Sequence, residues 1–229
     1  MYAIVLAGGK GERLRPLTSD RPKSMVPLAG KPILEYQVEW LREGGVTDIV
    51  LACGYLHEAL EEYFGDGSRW GVRMQYSVES QPLGRGGALK LAYRRVPDSE
   101  PLVIGTNGDN VSRQPLEPVI RQHRRTGAVA TLVLTQLRSP YGIVQQRGKR
   151  ITGFREKPPL PYWLNAGVYV LGREFFVGLP DVGDHEDELF PRWVSEGKLY
   201  AFRSTAYWKA IDTVKDLTEA AAQLEAEAK

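Results

Sequence analysis

A short apolar run, Tyr2 to Leu6, leads straight into Gly8, Gly9 and Gly11, and this junction constrains the fold more than any other stretch. The run is rich in β-formers and reads as a buried strand. Glycine admits positive φ and lets the backbone approach a ligand closely, because no Cβ intervenes. Successive free N–H groups in such a loop form a concavity that binds anions. Lys10, Arg13, Arg15 and Lys23 follow at once. A strand, a glycine loop and a set of cations together point to a polyphosphate cradle. Two familiar cradles do not fit. Gly8 and Gly9 lack the Gly-Lys-[Ser/Thr] partner of a P-loop, and the third glycine of G-x-G-x-x-G falls on Leu14.

The chain beyond the loop alternates. Behind Pro32, the residues Ile33, Leu34, Val38 and Leu41 recur at helical spacing until Gly44 and Gly45 stop the segment. Strands are expected at 48–53, 72–79 and 101–109, and helices at 56–64 and 86–96. This order predicts an α/β fold: a Rossmann-like, mostly parallel sheet wound with helices on both sides. Ligands of such sheets sit beyond the C-terminal strand ends, where Leu6 to Gly11, Glu79 to Gly84, and Asp109 fall. From residue 128 the rhythm changes to strands with short connections, at 128–137, 141–146, 150–157 and 165–171. These predict an antiparallel or mixed extension forming a wall for a second ligand. A helix at 187–197, a strand at 198–204 and a terminal helix from Val214 to Ala228 complete the reading. The length suits one domain, 1–229, with a nucleotide-binding half (1–127) and a second half (128–229).

A net charge of +2 gives no strong field for nucleic acid, so the cations matter by position. Cys53 is alone and follows an apolar run, which suits a core residue and excludes a disulfide framework. His57, His123 and His185 show no metal-ligand spacing. No apolar run reaches the length of a membrane span, and the strand at residue 2 leaves no room for a signal peptide, so a cytoplasmic protein is expected. An oligomer is possible but nothing indicates one.

The stretches "LAGGKGERLRPLT", "PKSMVP" and "GKPI" resemble, without gaps, the opening of the nucleoside-triphosphate-dependent sugar-1-phosphate nucleotidylyltransferases. Glu12 stands where Thr is common. The resemblance continues through "ESQPLGRGGAL" (79–89), "NGDN" (107–110), "YGIV" (141–144), "FREKP" (154–158) and "NAGVYVL" (165–171), over nearly the whole chain. It is to the short form, without a hexapeptide-repeat tail. It implies that a sugar-1-phosphate oxygen attacks the α-phosphorus of a nucleoside triphosphate and pyrophosphate leaves. The attacking phosphate is already ionised, so holding two polyanions and neutralising charge are the main tasks. By the same resemblance Arg13, Lys23 and Asp109 are catalytic, with Lys23 expected at the pocket surface. Leu6, Ala7, Gly8, Gly9, Gly11, Arg13, Glu79 and Gly84 bind the nucleotide. Gly142, Glu156, Lys157 and Asn165 face the sugar phosphate, and Asp109 holds Mg²⁺. Taken singly, Arg13 or Lys23 would be a solvated cation, Asp109 a turn acid, and Glu156 with Lys157 a surface ion pair.

One segment departs from the family. The usual W-x-D-x-G-T reads "WKAIDT" here, so Ala210 occupies the place of the second metal ligand and Asp212 stands two residues on. Residues i and i+2 of an extended segment face the same way, so Asp212 is expected to take over with Asp109. Asp216 is explained by the start of the terminal helix. Loss of the ligand would instead suggest a catalytically weak nucleotide-sugar sensor. Glu79 offers a carboxylate to the N1–H and N2 amino donors of guanine. This favours GTP with mannose-1-phosphate over a glucose-1-phosphate thymidylyl- or uridylyltransferase.

Overall fold

The computed structural model describes residues 1–227. In chain order the elements are β1 (Tyr2–Leu6), β2 (Pro27–Leu28), β3 (Lys31–Pro32), α1 (Ile33–Glu43), β4 (Asp48–Cys53), α2 (Glu58–Phe64), β5 (Arg73–Val78) and α3 (Gly84–Tyr93). Then come β6 (Leu102–Asn107), β7 (Asn110–Ser112), α4 (Leu116–Thr126), β8 (Ala130–Arg138), β9 (Ile143–Arg147), β10 (Arg150–Arg155) and β11 (Pro159–Gly172). The last are α5 (Arg173–Gly178), α6 (Leu189–Ser195), β12 (Leu199–Arg203), β13 (Trp208–Ala210) and α7 (Val214–Glu227). The expected end of α7 at Ala228 lies outside the described residues.

Seven strands form one sheet in the order β12-β8-β11-β6-β1-β4-β5. β1 lies between β6 and β4, parallel to both, and β4 is parallel to β5. Only β11 runs against its neighbours β6 and β8, so the sheet is mostly parallel with a mixed edge, as the change of rhythm after residue 128 predicts. Both faces are covered, which explains why β1 and β4 read as continuous apolar runs. Ala3 and Val5 face Leu34, Val38 and Leu41 of α1, Leu60 and Phe64 of α2, and Val119 and Ile120 of α4. Ile4 points the other way, toward Leu89 and Ala92 of α3, Phe175 of α5 and Trp193 of α6.

Several boundaries differ from the sequence reading for local reasons. Leu56 has a φ of 51° and cannot belong to α2, which begins at Glu58. β11 is fourteen residues long and begins at Pro159, because its outer half pairs with β8. The helices α4 and α5 are additions that the sequence reading does not predict. Strand β6 ends at Asn107, which leaves Asp109 in the turn before β7. That turn positions the site. β13 pairs antiparallel with β7, with Ala210 opposite Asn110, and Ile211 N donates to Asp109 O at 2.9 Å. The segment carrying Asp212 is thereby laid alongside Asp109.

Candidate active site

The loop after β1 turns tightly at Gly11, whose φ of 64° is left-handed. A Cβ there would lie 2.9 Å from both Lys23 Cβ and Thr18 Cγ2, so glycine is required by space as well as by conformation. Thr18 Oγ1 donates to Gly11 O at 2.8 Å, and Lys23 N donates to Gly9 O at 3.2 Å. These bonds fold the segment 15–23 back under the loop and carry the Lys23 side chain inward.

Lys23 lines the cavity wall, as expected of a pocket residue, but is only 8% exposed. The physical reason is charge. Its Nζ donates to Asp109 Oδ2 at 2.6 Å and to Asp212 Oδ1 at 2.6 Å, so an ammonium sits between two carboxylates. The two acidic oxygens can be no farther apart than twice 2.6 Å, or 5.2 Å. Arg13, exposed on the outer side, pairs with the same Asp212 oxygen at 2.8 Å. Thus Arg13, Lys23, Asp109 and Asp212 form one cluster. Asp216 is used elsewhere. It accepts from Thr213 N at 2.9 Å and Thr213 Oγ1 at 2.7 Å, while its own N–H donates to Thr213 Oγ1 at 3.2 Å. This reciprocal cap opens α7.

Two adjoining cavities meet at this cluster. One, of about 450 Å³, is lined by Gly9, Lys10, Gly11, Glu12, Arg13, Lys23, Asp109 and Asp212. The other, of about 480 Å³, lies over the ends of β1, β4 and β6 and includes Leu6, Gly8, Glu79, Gly84, Arg85 and Asp184. Gly9 and Asp109 line both, so the two form one continuous groove. Glu79 stands just past β5, against Gly54 and Gly8; its Oε2 accepts from Leu83 N at 3.1 Å. Ala7 is the exception among the loop residues. Its side chain is buried and its N–H donates to Ala52 O at 2.8 Å, so it offers no free N–H to a ligand.

The second-ligand residues fall in two places. Gly142 lies beside Glu156 and Phe154: a Cβ there would be 3.0 Å from Glu156 Oε2 and 2.4 Å from Phe154 Cζ. Glu156 and Lys157 are exposed and, among the described residues, form no ion pair with each other. Asn165 stands apart on β11, where Gly167 N donates to its Oδ1 at 3.1 Å and its Nδ2 donates to Tyr169 Oη and Glu186 Oε1, each at 2.8 Å. Sequence reasoning did not find Asp184, Glu186 or Tyr169, and it left Arg85 unassigned. Arg85 bonds Asp184 and pairs with Glu186; burial works against its charge, but the two acids outweigh it and hold its pKa above the ordinary value. Among the described residues no group of three or more His, Cys, Asp or Glu could hold a metal. The candidate donors are two carboxylates, and both are oxygens of the hard kind.

A mostly parallel α/β sheet carries the glycine loop and Asp109 just beyond the C-terminal ends of its central strands, where ligands of such sheets bind, and Lys23 and Asp212 are brought in beside them from outside the sheet. The comparison with known families agrees: residues 2–227 match the family described as nucleotidyl transferase, and the chain belongs to it. It is 34% identical over 230 residues to the D-glycero-alpha-D-manno-heptose 1-phosphate guanylyltransferase of Aneurinibacillus thermoaerophilus, covering 98% of this chain and 99% of that one. It is 36% identical over 232 residues to mannose-1-phosphate guanyltransferase beta-A of Xenopus laevis, covering 94% of this chain but only 62% of that one. The crystal structure of HddC from Yersinia pseudotuberculosis is similar, with a TM-score of 0.78 at 25% identity over 97% of this chain and 99% of that one. Among the described residues no helix is long and apolar enough to cross a membrane.

Proposed function

We propose that this chain transfers a nucleotidyl group from a nucleoside triphosphate to a sugar 1-phosphate, giving an NDP-sugar and pyrophosphate, with GTP as the preferred donor. The observation that carries the reading is the cluster of Lys23, Arg13, Asp109 and Asp212 at the meeting of the two cavities. The cavity holding Glu79 suits the base and ribose; the one behind the glycine loop suits the triphosphate. In this reading Gly11 and Arg13 hold the phosphates that leave. Lys23 meets the α-phosphate and the incoming phosphate, where negative charge accumulates during transfer. Gly142, Glu156, Lys157 and Asn165 hold the acceptor. Asp109 and Asp212 are the residues that would hold Mg²⁺, which takes one or two carboxylates together with substrate phosphates. When bound, the ion neutralises charge on phosphoryl oxygens. The Asp212 carboxylate beside Asp109 supports the enzyme over a catalytically weak sensor, which would lack a second acid.

Glu79 supports guanine, since a carboxylate can accept from N1–H and the N2 amino group together. The names of both guanylyltransferase relatives add weight to GTP. For the sugar, mannose-1-phosphate is the first choice. A manno-heptose 1-phosphate is the second, favoured because the heptose relative matches along 99% of its length. The test is pyrophosphate release from GTP, dTTP and UTP, each paired with mannose-1-phosphate, glucose-1-phosphate and manno-heptose 1-phosphate. GTP with a manno-configured acceptor is expected to give the highest kcat/KM. Faster turnover of dTTP or UTP would overturn the base, and silence with every pair would overturn the reaction.

A further inference from the structure

The hydrogen bonds around Asn165 leave its amide little freedom. Gly167 N–H can only donate, so the atom it meets is Oδ1. A carboxylate at neutral pH only accepts, so the atom facing Glu186 is Nδ2. Tyr169 closes the triangle: its Oη accepts from Asn165 Nδ2 at 2.8 Å and donates to Glu186 Oε1 at 3.3 Å. Burial, then the nearby Glu186, push the Tyr169 phenol upward, so it keeps its proton. Both Nδ2 hydrogens are engaged, and the free capacity of Asn165 is a lone pair on Oδ1. Asn165 therefore presents an acceptor, with Gly167 N–H, Tyr169 and Glu186 all holding its amide.

Glu186 is itself fixed. Its Oε2 pairs with Arg85 at 2.6 Å. Arg85 is anchored to Asp184 by its backbone N–H at 2.7 Å and by its guanidinium at 3.0 Å. The loop bearing these acids is docked on the start of α3, with Gly86 N donating to Gly183 O at 2.9 Å and Gly183 N donating to Leu83 O at 2.8 Å. The approach is too close for side chains: a Cβ on Gly87 would lie 2.4 Å from Asp181 O. Arg85 and Asp184 also line the larger cavity. One rigid loop thus joins the wall of the nucleotide cavity to the amide of Asn165.

We propose that Glu186 is a positioning residue that holds the Asn165 amide in a single orientation toward the acceptor, and that Arg85 ties this orientation to the wall of the nucleotide cavity. The role toward the acceptor rests on the transferase reading, whereas the geometry of Asn165 can be tested apart from it. Loss of the oriented hydrogen bond in Glu186→Ala is expected to raise KM for the sugar 1-phosphate about tenfold, with KM for the nucleoside triphosphate changed by less than about twofold. Glu186→Gln keeps an oxygen for Nδ2 and is expected to recover most of the acceptor KM. In parallel, the side-chain ¹H–¹⁵N amide pair of Asn165, assigned by its loss in Asn165→Asp, is expected to shift and to exchange faster in Glu186→Ala. An unmoved amide pair overturns the proposal. So does an acceptor KM that stays near wild type, or one that rises in parallel with the nucleotide KM. If the wild-type protein is silent with every substrate pair, the transferase reading falls, and the amide pair still decides whether Glu186 positions Asn165.

Discussion

His185 lies between the two acids of this loop, 1% exposed, and neither ring nitrogen has a hydrogen-bond partner. Its neighbours are aromatic: ring centroids of Phe190, Tyr169 and Phe175 lie at 5.0, 5.8 and 5.8 Å. Burial lowers its pKa from 6.5 to about 4; Arg85 works in the same direction, and Glu186, Asp184 and Asp187 oppose it only in part. The folded state therefore keeps the ring neutral, while the unfolded chain takes up a proton near 6.5. Between those values the unfolded state binds more protons, so stability falls as the pH falls. The gap from 6.5 to about 4 amounts to about 3 kcal/mol of stability, fully present above pH 6.5 and lost by pH 4. In His185→Phe that titration is gone, and two unpartnered buried nitrogens go with it. The assay is urea unfolding of both proteins at several pH values between about 7.5 and 4.5, taking the difference so that other titrating groups cancel. The variant is expected to be at least as stable as wild type near neutrality, and its advantage to grow by about 2 to 3 kcal/mol on acidification. Parallel pH profiles would refute the reasoning, because they would mean that His185 titrates alike in both states.

Gly11→Ala places a Cβ against Lys23 and Thr18 in a left-handed turn; it is expected to lower unfolding free energy by about 1 to 2 kcal/mol or more, read by urea denaturation, and to weaken nucleotide binding in calorimetry. Asp216→Asn removes the carboxylate that caps α7 and should cost about 1 kcal/mol of stability while leaving the Mg²⁺ dependence of turnover near wild type. Asp212→Asn should do the reverse, weakening the Mg²⁺ dependence of turnover strongly. Glu79→Gln should shift the ratio of kcat/KM for GTP over UTP toward UTP by about tenfold or more, measured in the same pyrophosphate assay.

Much of the fold was legible because burial on both faces leaves its mark on sequence. β4 has the expected bounds, Asp48–Cys53, since every residue in it is buried. α4 shows why other elements escape. Its buried stripe is Leu116, Val119, Ile120 and His123, at helical spacing, but the stripe is short, its last member is polar, and Arg121, Arg124 and Arg125 surround it. At the site, the place of Asp212 beside Asp109 was expected from the family resemblance combined with the two-residue period of an extended chain. The burial of Lys23 was not, because it follows from acids 86 and 189 residues away. Glu186 had no signal at all: it meets Asn165 of β11 only because the loop after α5 docks on the start of α3, and no local spacing encodes that approach.

Turnover of Lys23→Ala at saturating GTP and acceptor tests the central claim most directly. In the proposed reaction the ammonium between Asp109 and Asp212 neutralises charge as the α-phosphate changes hands, so its removal is expected to lower kcat by roughly a hundredfold or more. Circular dichroism and gel filtration of the variant report separately on any loss of fold from leaving two acids without their cation. A folded Lys23→Ala protein that releases pyrophosphate at the wild-type rate would contradict the account.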